Sequence, residues 1–359
     1  MLKILHVAPQ NYAGVPHSFY QMHNAMGDYS RIITLHKNPL EFPEDICLDL
    51  PLPASSLAKK WRKKKVKDVE VRQIHLAPVF KPKNLFESIY FIYSDVKRKK
   101  IIEEAINKYK LDEFDIIHYD SGLDFYRNSS HAKKWKQEGK KIVCCYYGSD
   151  LRIRGLIKEM DAISDLNITS EYDHLELKKD LQYIFYPYDI SELPERKYND
   201  DGVIKIVHSP TNRQYKGTSI IISVIEKIKK EQKIEFILLE GKPRSEVLQI
   251  KSTCDISIDQ VGGTMGGTGY GKAGLETLGM GIPTVTNMTK NYADWLPENP
   301  FIVANTANEL YNVLSELIQN ATLRKEKGET GKSWVKKYHS YESVDKRLKE
   351  LYRTFDVIK

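Results

Sequence analysis

The run from Cys254 to Met288 most constrains the fold, because it contains the signals of a strand, a glycine-rich loop, a helix and a second strand in that order. The predicted bounds are 255–259 for the first strand, 261–271 for the loop, 272–280 for the helix and 283–286 for the second strand. This succession is the repeating unit of a parallel α/β sheet. Glycine lets a backbone approach a ligand closely, and a helix N-terminus presents unpaired N–H groups to anions. The run therefore favours an anion-binding loop, although a plain turn would also contain glycines.

Glu276 lies about one turn into the predicted helix. A carboxylate at this place can accept hydrogen bonds from ribose or sugar hydroxyls, as the acidic residue of dinucleotide-binding folds does. We therefore expect Glu276 to be a hydrogen-bond acceptor in a cleft, with little role in the core.

The run from Gly269 to Val285 reads GYGKAGLETLGMGIPTV and resembles the donor-binding signature of the GT-B glycosyltransferases, in particular of glycosyltransferase family 4. In that family, a Gly-Phe-Gly-like turn leads into Leu-Glu-Ala-Met-Ala-x-Gly-x-Pro-Val. The resemblance implies that Glu276 binds the ribose of a nucleotide donor. The other donor-binding residues that it implies here are Gly269, Tyr270, Gly271 and Lys272. The family motif has a second glutamate eight positions earlier, on the donor sugar, and this chain has Thr268 there.

A second motif, 209–218, reads SPTNRQYKGT and lies between a predicted buried strand and an amphipathic helix. Arg213 can bind phosphate oxygens in a bidentate way, and Lys216, three residues later, adds a point charge. Gly217 and Thr218 offer backbone N–H groups to the same anion. The segment is similar to the Arg-x-x-Lys-Gly loop of family 4, and the pattern predicts a diphosphate site. Exposed surface charge is the alternative.

The N-terminal half resembles the same family more weakly. Gly14 follows the predicted strand 3–8, at the place of the family's Gly-Gly-Val turn, which implies a donor-side role. The segment 114–121 is similar to the family's Asp-Val-Ile-His-x-His segment, and His118 within it is assigned to the acceptor side.

The run from Tyr147 to Asp150 resembles the family's His-Gly-x-Asp loop, with Tyr147 in place of the histidine on the acceptor side. Polar side chains at the carboxyl ends of parallel strands line the crevice of an open sheet. This placement favours a catalytic role for Asp150, as a weak base or in orienting the acceptor, together with Arg213 and Lys216. The alternative is that Ser149 or Asp150 caps the next helix.

The formal net charge of +7 favours an anionic partner, which phosphates, anionic lipid and nucleic acid would all satisfy. The stretches 59–67, which contains Trp61, and 80–86, which contains Phe80 and Phe86, combine lysines with apolar residues. Such stretches can lie on an anionic membrane surface, although a solvated basic loop has the same composition. We find no helix-turn-helix, zinc or RNA-binding signature and expect no nucleic-acid partner.

The compartment is predicted from the cysteines and from the hydropathy. Cys47, Cys144, Cys145 and Cys254 form no CxxC pair, so neither a zinc knuckle nor a disulfide framework is indicated. No run approaches the roughly 20 apolar residues of a membrane-spanning helix, and the N-terminus enters a strand without a signal peptide. We predict a cytoplasmic protein, held at the inner face of the cytoplasmic membrane if the basic stretches bind lipid.

The alternation of strands and helices predicts an α/β protein of more than one domain. The resemblance implies the GT-B fold, in which two Rossmann-like domains face each other across a cleft. The implied acceptor-side domain is 1–190, with the C-terminal helix 341–359 packed back on it. The donor domain is 203–338, and the charged stretch 191–202 is the predicted linker.

The function implied is transfer of a sugar from a nucleotide diphosphate sugar to an acceptor hydroxyl, with retention of anomeric configuration. We expect no metal or other cofactor, because no Asp-x-Asp element is placed to hold a metal diphosphate. The expected acceptor is a lipid-linked or glycan precursor in cell-surface glycan or glycolipid synthesis. A nucleotide-sugar epimerase of this fold stays open and would need acid/base carboxylates. A non-catalytic sugar-nucleotide-binding subunit also stays open, because Thr268 and Tyr147 replace expected site residues.

Overall fold

A computed structural model describes residues 1–38, 42–51, 76–82, 84–198, 202–262 and 269–359. The chain divides into two compact units. The first contains Met1–Pro187 and Tyr341–Lys359, and the second contains Tyr188–Ser340. The division falls just before the predicted linker, 191–202, and the second unit begins with a short 3-10 turn, Ile190–Glu192.

The first unit is built on a parallel sheet with the strand order β3-β2-β1-β4-β5-β6-β7. Its strands are β1 (Lys3–Ala8), β2 (Tyr29–Thr34), β3 (Ile46–Cys47), β4 (Ile116–Asp120), β5 (Lys141–Tyr146), β6 (Leu166–Thr169) and β7 (Gln182–Tyr183). The central strands are buried almost along their whole length, as expected for a parallel sheet whose two faces are both covered.

The helices within Met1–Pro187 alternate with these strands. They are α1 (Val15–Ala25), α2 (Leu85–Tyr109), α3 (Ser130–Gln137), α4 (Lys158–Asp161) and α5 (His174–Leu177). Gly14 is the N-cap of α1 and has a φ of 71°, a left-handed conformation that glycine adopts without steric cost. Pro16 lies in the first turn of α1, where its missing N–H group costs nothing. Asn84 caps α2 by accepting a hydrogen bond from the backbone N–H of Glu87 at 2.9 Å.

The second unit is built on a smaller parallel sheet with the order β12-β11-β10-β8-β9. Its strands are β8 (Ile204–His208), β9 (Ile234–Leu238), β10 (Ile256–Ile258), β11 (Thr284–Thr286) and β12 (Ile302–Val303). Its helices are α6 (Arg213–Lys216), α7 (Thr218–Ile228), α8 (Arg244–Lys251), α9 (Lys272–Gly279), α10 (Lys290–Trp295), α11 (Ala307–Gln319) and α12 (Ala321–His339). The strand, helix and second strand predicted in 255–286 are confirmed as β10, α9 and β11.

The last helix, α13 (Tyr341–Thr354), belongs to the first unit and packs on α1. Its apolar face, which includes Leu348 and Tyr352, is buried. The ammonium of Lys349 lies 2.9 Å from a carboxylate oxygen of Asp28, at the end of α1. The chain therefore returns to the first unit after completing the second.

Both sheets have the order of a doubly wound α/β fold, in which the chain adds strands on one side of its first strand and then on the other. The predicted fold class of two Rossmann-like domains is therefore confirmed. Within the described ranges, no helix combines the length and the apolar character needed to cross a bilayer.

Three histidines lie together in the core of the first unit, at β1, α1 and β4. His6, His23 and His118 are fully buried, and the rings of His6 and His118 have centroids 4.6 Å apart. Burial lowers the pKa of His6 to about 3 and lowers the pKa values of His23 and His118 well below the usual range. Asp120, 3.6 Å from His6, has its pKa raised well above the usual range by burial. His6 is therefore neutral near pH 7, and burial favours the protonated form of Asp120.

These shifts predict acid lability. Below pH 6.5 the unfolded chain binds protons on His23 and His118 that the folded chain does not, so stability falls as the pH falls. The slope contributed by each such histidine approaches about 1.4 kcal/mol per pH unit as the pH falls well below 6.5. The contribution of His6 is offset by Asp120, which keeps a proton in the folded state that the unfolded state releases.

We expect His23→Gln to flatten the pH dependence of the free energy of unfolding between pH 6.5 and 5 by about 1 kcal/mol per pH unit, because an unfolded histidine is only half protonated at pH 6.5. Urea denaturation across this range measures the slope. His17→Gln is the control, because His17 lies on the same helix but is partly exposed. Equal slopes in the wild type and in His23→Gln would contradict the prediction.

Candidate functional site

The candidate site lies at the switch point of the second sheet. β8 pairs with β9 on one side and with β10 on the other, so the chain reverses its direction of strand addition between β8 and β10. In open α/β sheets, ligands bind outside the carboxyl ends of the strands at such a point. The loops that follow these two strands contain the two predicted motifs, and the sheet brings them together.

Lys216 connects the two loops. Its ammonium lies 2.7 Å from Oδ1 of Asp259 and 3.0 Å from Oε1 of Gln260, the two residues that follow β10. The side chain of Asp259 is fully buried. Burial alone would raise the pKa of Asp259, but the Lys216 ammonium, together with the N–H of Gly271 and the charge of Lys251, outweighs burial and lowers it. Asp259 is therefore an anion at neutral pH, and it fixes the position of the lysine.

Arg213 has a different partner from Lys216. Its guanidinium forms two hydrogen bonds with the carboxylate of Glu240, at 2.8 Å and 2.5 Å, on the exposed surface. This bond raises the pKa of Arg213 and lowers the pKa of Glu240. Asn212 caps the short helix α6 by accepting from the backbone N–H groups of Gln214 and Tyr215. For Arg213 to bind a phosphate, the pair with Glu240 must open.

The end of the glycine-rich loop is tied to the same aspartate. The backbone N–H of Gly271 donates to Oδ2 of Asp259 at 2.7 Å. A Cβ on Gly271 would lie 3.1 Å from the ammonium of Lys216, and a Cβ on Gly274 would lie 3.2 Å from Asp259. Glycine at both positions lets α9 begin directly against the Lys216–Asp259 pair.

Gly269 and Tyr270 are held by their own neighbours. Gly269 has a φ of 109°, and a Cβ there would lie 2.1 Å from the ring of Tyr292. Its carbonyl accepts from the side chains of Gln260 and Thr286, at 2.7 Å and 2.9 Å. Tyr270 stacks on Phe301, with ring centroids 4.6 Å apart. The structure therefore gives these two predicted donor-binding residues a packing role.

Glu276 is buried, and two cations hold it. Its carboxylate lies 2.8 Å from the ammonium of Lys251 and 3.1 Å from the guanidinium of Arg244. Burial alone would raise the pKa of Glu276, but the charge of Lys251, followed by that of Arg244, outweighs burial and lowers it. Lys251 is itself almost fully buried. The expectation that Glu276 has little role in the core is therefore wrong, because it neutralises a buried lysine.

Lys272, the first residue of α9, adds a third cation beside Glu276. Burial, followed by repulsion from Arg244, lowers the pKa of Lys272 to about 8. Glu276 and Glu192 act in the opposite direction on it. The three cations are Lys251, Arg244 and Lys272, and the two carboxylates are those of Glu276 and Glu192. The cations therefore leave a positive excess close to the start of α9. This excess makes the carboxyl edge of the sheet favourable for an anion, whereas the charge of Lys216 is balanced by that of Asp259.

In the first unit, Gly14 lies at the corresponding switch point, where β1 adjoins β4. Asp150, after β5, uses both carboxylate oxygens on its own loop. It accepts from the backbone N–H groups of Tyr147 at 2.9 Å, Gly148 at 3.0 Å and Leu151 at 2.7 Å. These bonds hold the loop before the turn Asp150–Arg154; Ser149 is the N-cap of that turn and makes no side-chain cap bond, so the expected helix cap is not formed. A catalytic role for Asp150 stays a prediction.

Of the two predicted acceptor-side residues, His118 is fully buried and Tyr147 is half-buried. His118 has Nε2 bonded to the hydroxyl of Tyr352 and Nδ1 3.4 Å from the sulfur of Cys145. The ring of Tyr147 stacks near Phe19, and burial raises its pKa well above the usual range. His118 has no surface with which to contact an acceptor in this conformation.

One group of side chains in the described parts brings potential ligand atoms close enough to share a metal ion: His23, Asp28 and Asp345. The ammonium of Lys349 already lies 2.9 Å from Asp28 and 3.0 Å from Asp345. A metal would have to displace this cation. The group is better explained as the anchor of α13 on α1.

A scan against protein-family models finds no match, and a search of curated proteins finds none either. Solved structures do match over almost the whole chain. HepE of Anabaena, in complex with UDP and glucose, matches with a TM-score of 0.57 and 11% identity, over 99% of this chain and 100% of that one. The catalytic domain of starch synthase IV from Arabidopsis thaliana, bound to ADP and acarbose, matches with a TM-score of 0.58 and 11% identity, over 99% of both chains.

A UDP-N-acetylglucosamine 2-epimerase matches with a TM-score of 0.52 and 10% identity, over 100% of this chain and 97% of that one. At such identities the likeness establishes the fold. Together with the two doubly wound sheets, it identifies the GT-B fold of two Rossmann-like domains.

Sequence reasoning missed the partners of the predicted residues. Asp259 was visible only as the last residue of a strand, and Lys251 only as the last residue of a helix. An acidic residue directly after a buried strand and beside a glycine loop is a signal that could have identified Asp259. Thr268, predicted at the donor sugar, lies outside the described residues.

We expect Glu276→Gln to lower the free energy of unfolding by about 3 kcal/mol, because it leaves the buried ammonium of Lys251 without a counter-charge. Chemical denaturation measures the loss, and Glu276→Gln/Lys251→Met should recover much of it. Glu240→Gln is the control, because Glu240 is an exposed partner of a cation. A stable Glu276→Gln variant that binds nucleotide poorly would instead support the purely ligand-binding role.

Proposed function

We propose that the chain is a glycosyltransferase that takes a sugar from a nucleotide diphosphate sugar and transfers it to an acceptor hydroxyl. The observation that carries the proposal is the Lys216–Asp259–Gly271 arrangement at the switch point of the second sheet. It sets a cation and the start of a glycine-flanked helix where a doubly wound sheet binds anions. The complexes of structurally similar proteins with UDP, glucose and ADP support a nucleotide-sugar donor.

The chemistry follows from the charge that the reaction creates. The bond between the sugar's anomeric carbon and the diphosphate oxygen breaks, and its electron pair goes to the diphosphate. The oxygen of the acceptor hydroxyl bonds to that carbon, and its proton passes to an oxygen of the leaving diphosphate. Negative charge therefore grows on the leaving diphosphate. Lys216, Lys272 and the N-terminus of α9 supply fixed positive charge and N–H groups for it. On this proposal the transfer is retaining and needs no metal.

Arg213 would join the site by exchanging partners. The guanidinium that pairs with Glu240 presents a planar fork, which fits two phosphate oxygens as well as two carboxylate oxygens. Because the pair is exposed to water, Arg213 can exchange the carboxylate of Glu240 for a phosphate at little cost in free energy. In this proposal Glu240 competes with the donor for the arginine.

In this proposal the first unit binds the acceptor. The net charge of +7 and the basic and aromatic stretch 80–86 favour a lipid-linked or glycan acceptor at the inner face of the cytoplasmic membrane, in cell-surface glycan or glycolipid synthesis. The lysine-rich stretch 59–67 lies outside the described residues. Asp150 would act by holding its loop in shape.

The epimerase remains the second candidate because a UDP-N-acetylglucosamine 2-epimerase has a similar fold. Such an enzyme needs carboxylates that can exchange protons with the sugar. Asp259 and Glu276 are both paired with cations that lower their pKa values, which makes them poor acids at neutral pH. We therefore favour transfer over epimerisation.

We expect the protein to release nucleotide diphosphate from one member of a panel of nucleotide sugars, faster with an acceptor than without one. The panel, assayed with and without lipid-linked acceptors, measures this release. Conversion of the donor into an epimer, with no dependence on acceptor, would identify an epimerase. Tight donor binding with neither reaction would identify a non-catalytic subunit.

We expect Lys216→Ala to weaken binding of the nucleotide diphosphate roughly tenfold or more, because it removes a charge-assisted contact. Arg213→Ala should also weaken it, with little effect on stability, because its pair with Glu240 is exposed. Glu240→Gln is the matched variant and should strengthen binding by removing the competitor. Calorimetry that shows unchanged affinity in both cation variants would remove this donor site.

A further inference from the structure

The exposed face of α2 is unusual for a helix of a protein in water. Seven large apolar side chains on its first half are between 39% and 79% exposed. They are Leu85, Phe86, Ile89, Tyr90, Ile92, Tyr93 and Val96. At 3.6 residues per turn, these positions lie within a sector of roughly 160° on one side of the helix. Single exposed apolar residues need no explanation, but a contiguous face of this size marks an interaction surface.

The opposite side of α2 holds the helix to the unit. Asp95 on this side accepts a hydrogen bond from the backbone N–H of Arg127 at 2.9 Å. Ile102, Ala105 and Ile106 in the second half are buried. The helix is therefore attached by its inner side and its C-terminal half. The apolar face of the first half points away from that attachment.

Basic residues follow the apolar face directly. Lys97, Lys99 and Lys100 are exposed in the next turn of the same helix. Lys99 lies 3.7 Å from Glu103, and Lys100 lies 3.8 Å from Glu104. Such long, exposed pairs are weak and exchange readily with other anions. An apolar face that ends in a cluster of lysines has the pattern of a helix that lies in a membrane interface.

A pocket of about 550 Å³ opens beside this face, between α2, the segment 79–82 and the start of α4. Arg127 lines it and lies over the rings of Phe91 and Phe80, at 4.9 Å and 5.8 Å from their centroids. Within the described residues, no carboxylate pairs with this guanidinium. Lys81, Lys133 and Lys158 also line the pocket. The pocket therefore combines apolar walls with an excess of positive charge, partly offset by Asp95 and Glu159.

We propose that the apolar face of α2 docks on a membrane that contains anionic phospholipid, and that the Arg127 pocket receives the phosphate of one lipid. The apolar side chains would enter the interface, while Lys97 and Lys100 would meet neighbouring headgroups. The inference rests on the membrane part of the proposed function and names its surface. A second copy of the chain is the other occupant of such a face, but the basic cluster and the net charge of +7 favour an anionic partner.

Vesicle co-sedimentation, without donor or acceptor, tests the docking. We expect binding to vesicles of phosphatidylcholine with phosphatidylglycerol, little binding to phosphatidylcholine alone, and a loss of binding as salt is raised. Equal binding to both vesicle types would overturn the proposal. A concentration-dependent dimer that Ile89→Gln/Val96→Gln abolishes, without vesicle binding in the wild type, would assign the face to a second copy instead.

Paired variants locate the surface. Ile89→Gln/Val96→Gln should reduce binding to anionic vesicles roughly tenfold or more, whereas Tyr198→Gln, an equally exposed apolar position in the second unit, should leave it unchanged. Lys97→Gln/Lys100→Gln should also reduce it roughly tenfold. Lys229→Gln/Lys230→Gln removes the same charge from the second unit and is the control. If control and test variants lose binding equally, the attraction is diffuse and α2 is not the docking surface.

Arg127→Gln tests the phosphate site. It should weaken binding to anionic vesicles, and inorganic phosphate at matched ionic strength should compete with the wild type but not with this variant. If inorganic phosphate binds at Arg127 while Arg127→Gln binds vesicles as the wild type does, the pocket takes a free phosphate and the lipid assignment is wrong. Donor turnover in solution is measured separately. Turnover without vesicle binding overturns only the docking, and vesicle binding without turnover overturns only the proposed function.

Discussion

The buried carboxylate of Asp259 is the constraint on which the candidate site depends. A lone anion at this depth would be costly, and it is stabilised because Lys216 and the N–H of Gly271 both reach it. The loops after β8 and β10 are therefore fixed to each other through one side chain. Because Gly271 and Gly274 have no side chain, the backbone at the start of α9 can lie close to this pair. The pairing leaves the lysine beside the helix start, where an anion can meet both.

Much of the fold could be predicted from local signals, and the partners in the site could not. The strand, helix and strand of 255–286 follow from β-branched runs, glycine and a helical pattern, which act within a few residues. Lys216 was found because its spacing from Arg213 and Gly217 is local. The pair of Glu276 with Lys251 spans two helices, so it depends on packing that the sequence does not display. The spacing of Arg213 in its loop is likewise local, while its bond to Glu240 depends on where β9 ends.

The first unit explains why its resemblance to the family is weaker. His118, Tyr147 and Asp120 occupy the carboxyl ends of neighbouring strands, but their polar atoms face one another or the last helix. Burial holds the histidines neutral and raises the pKa of Asp120. The charge of the unit lies outside, on α2 and around Arg127. The predicted anion site of the second unit therefore lies at its sheet edge, whereas the lysines and Arg127 of the first unit lie on and beside α2.

The return of α13 to the first unit makes the second unit an insertion within the first. The ends of the insertion are joined, since the backbone N–H of Tyr188 donates to the carbonyl of His339 at 2.7 Å. During synthesis the chain emerges from its N-terminus, and domains generally fold as units. The residues of the second unit are then all present before Tyr352 exists to bond with His118. The contact between His118 and the last helix therefore forms only after that helix has left the ribosome.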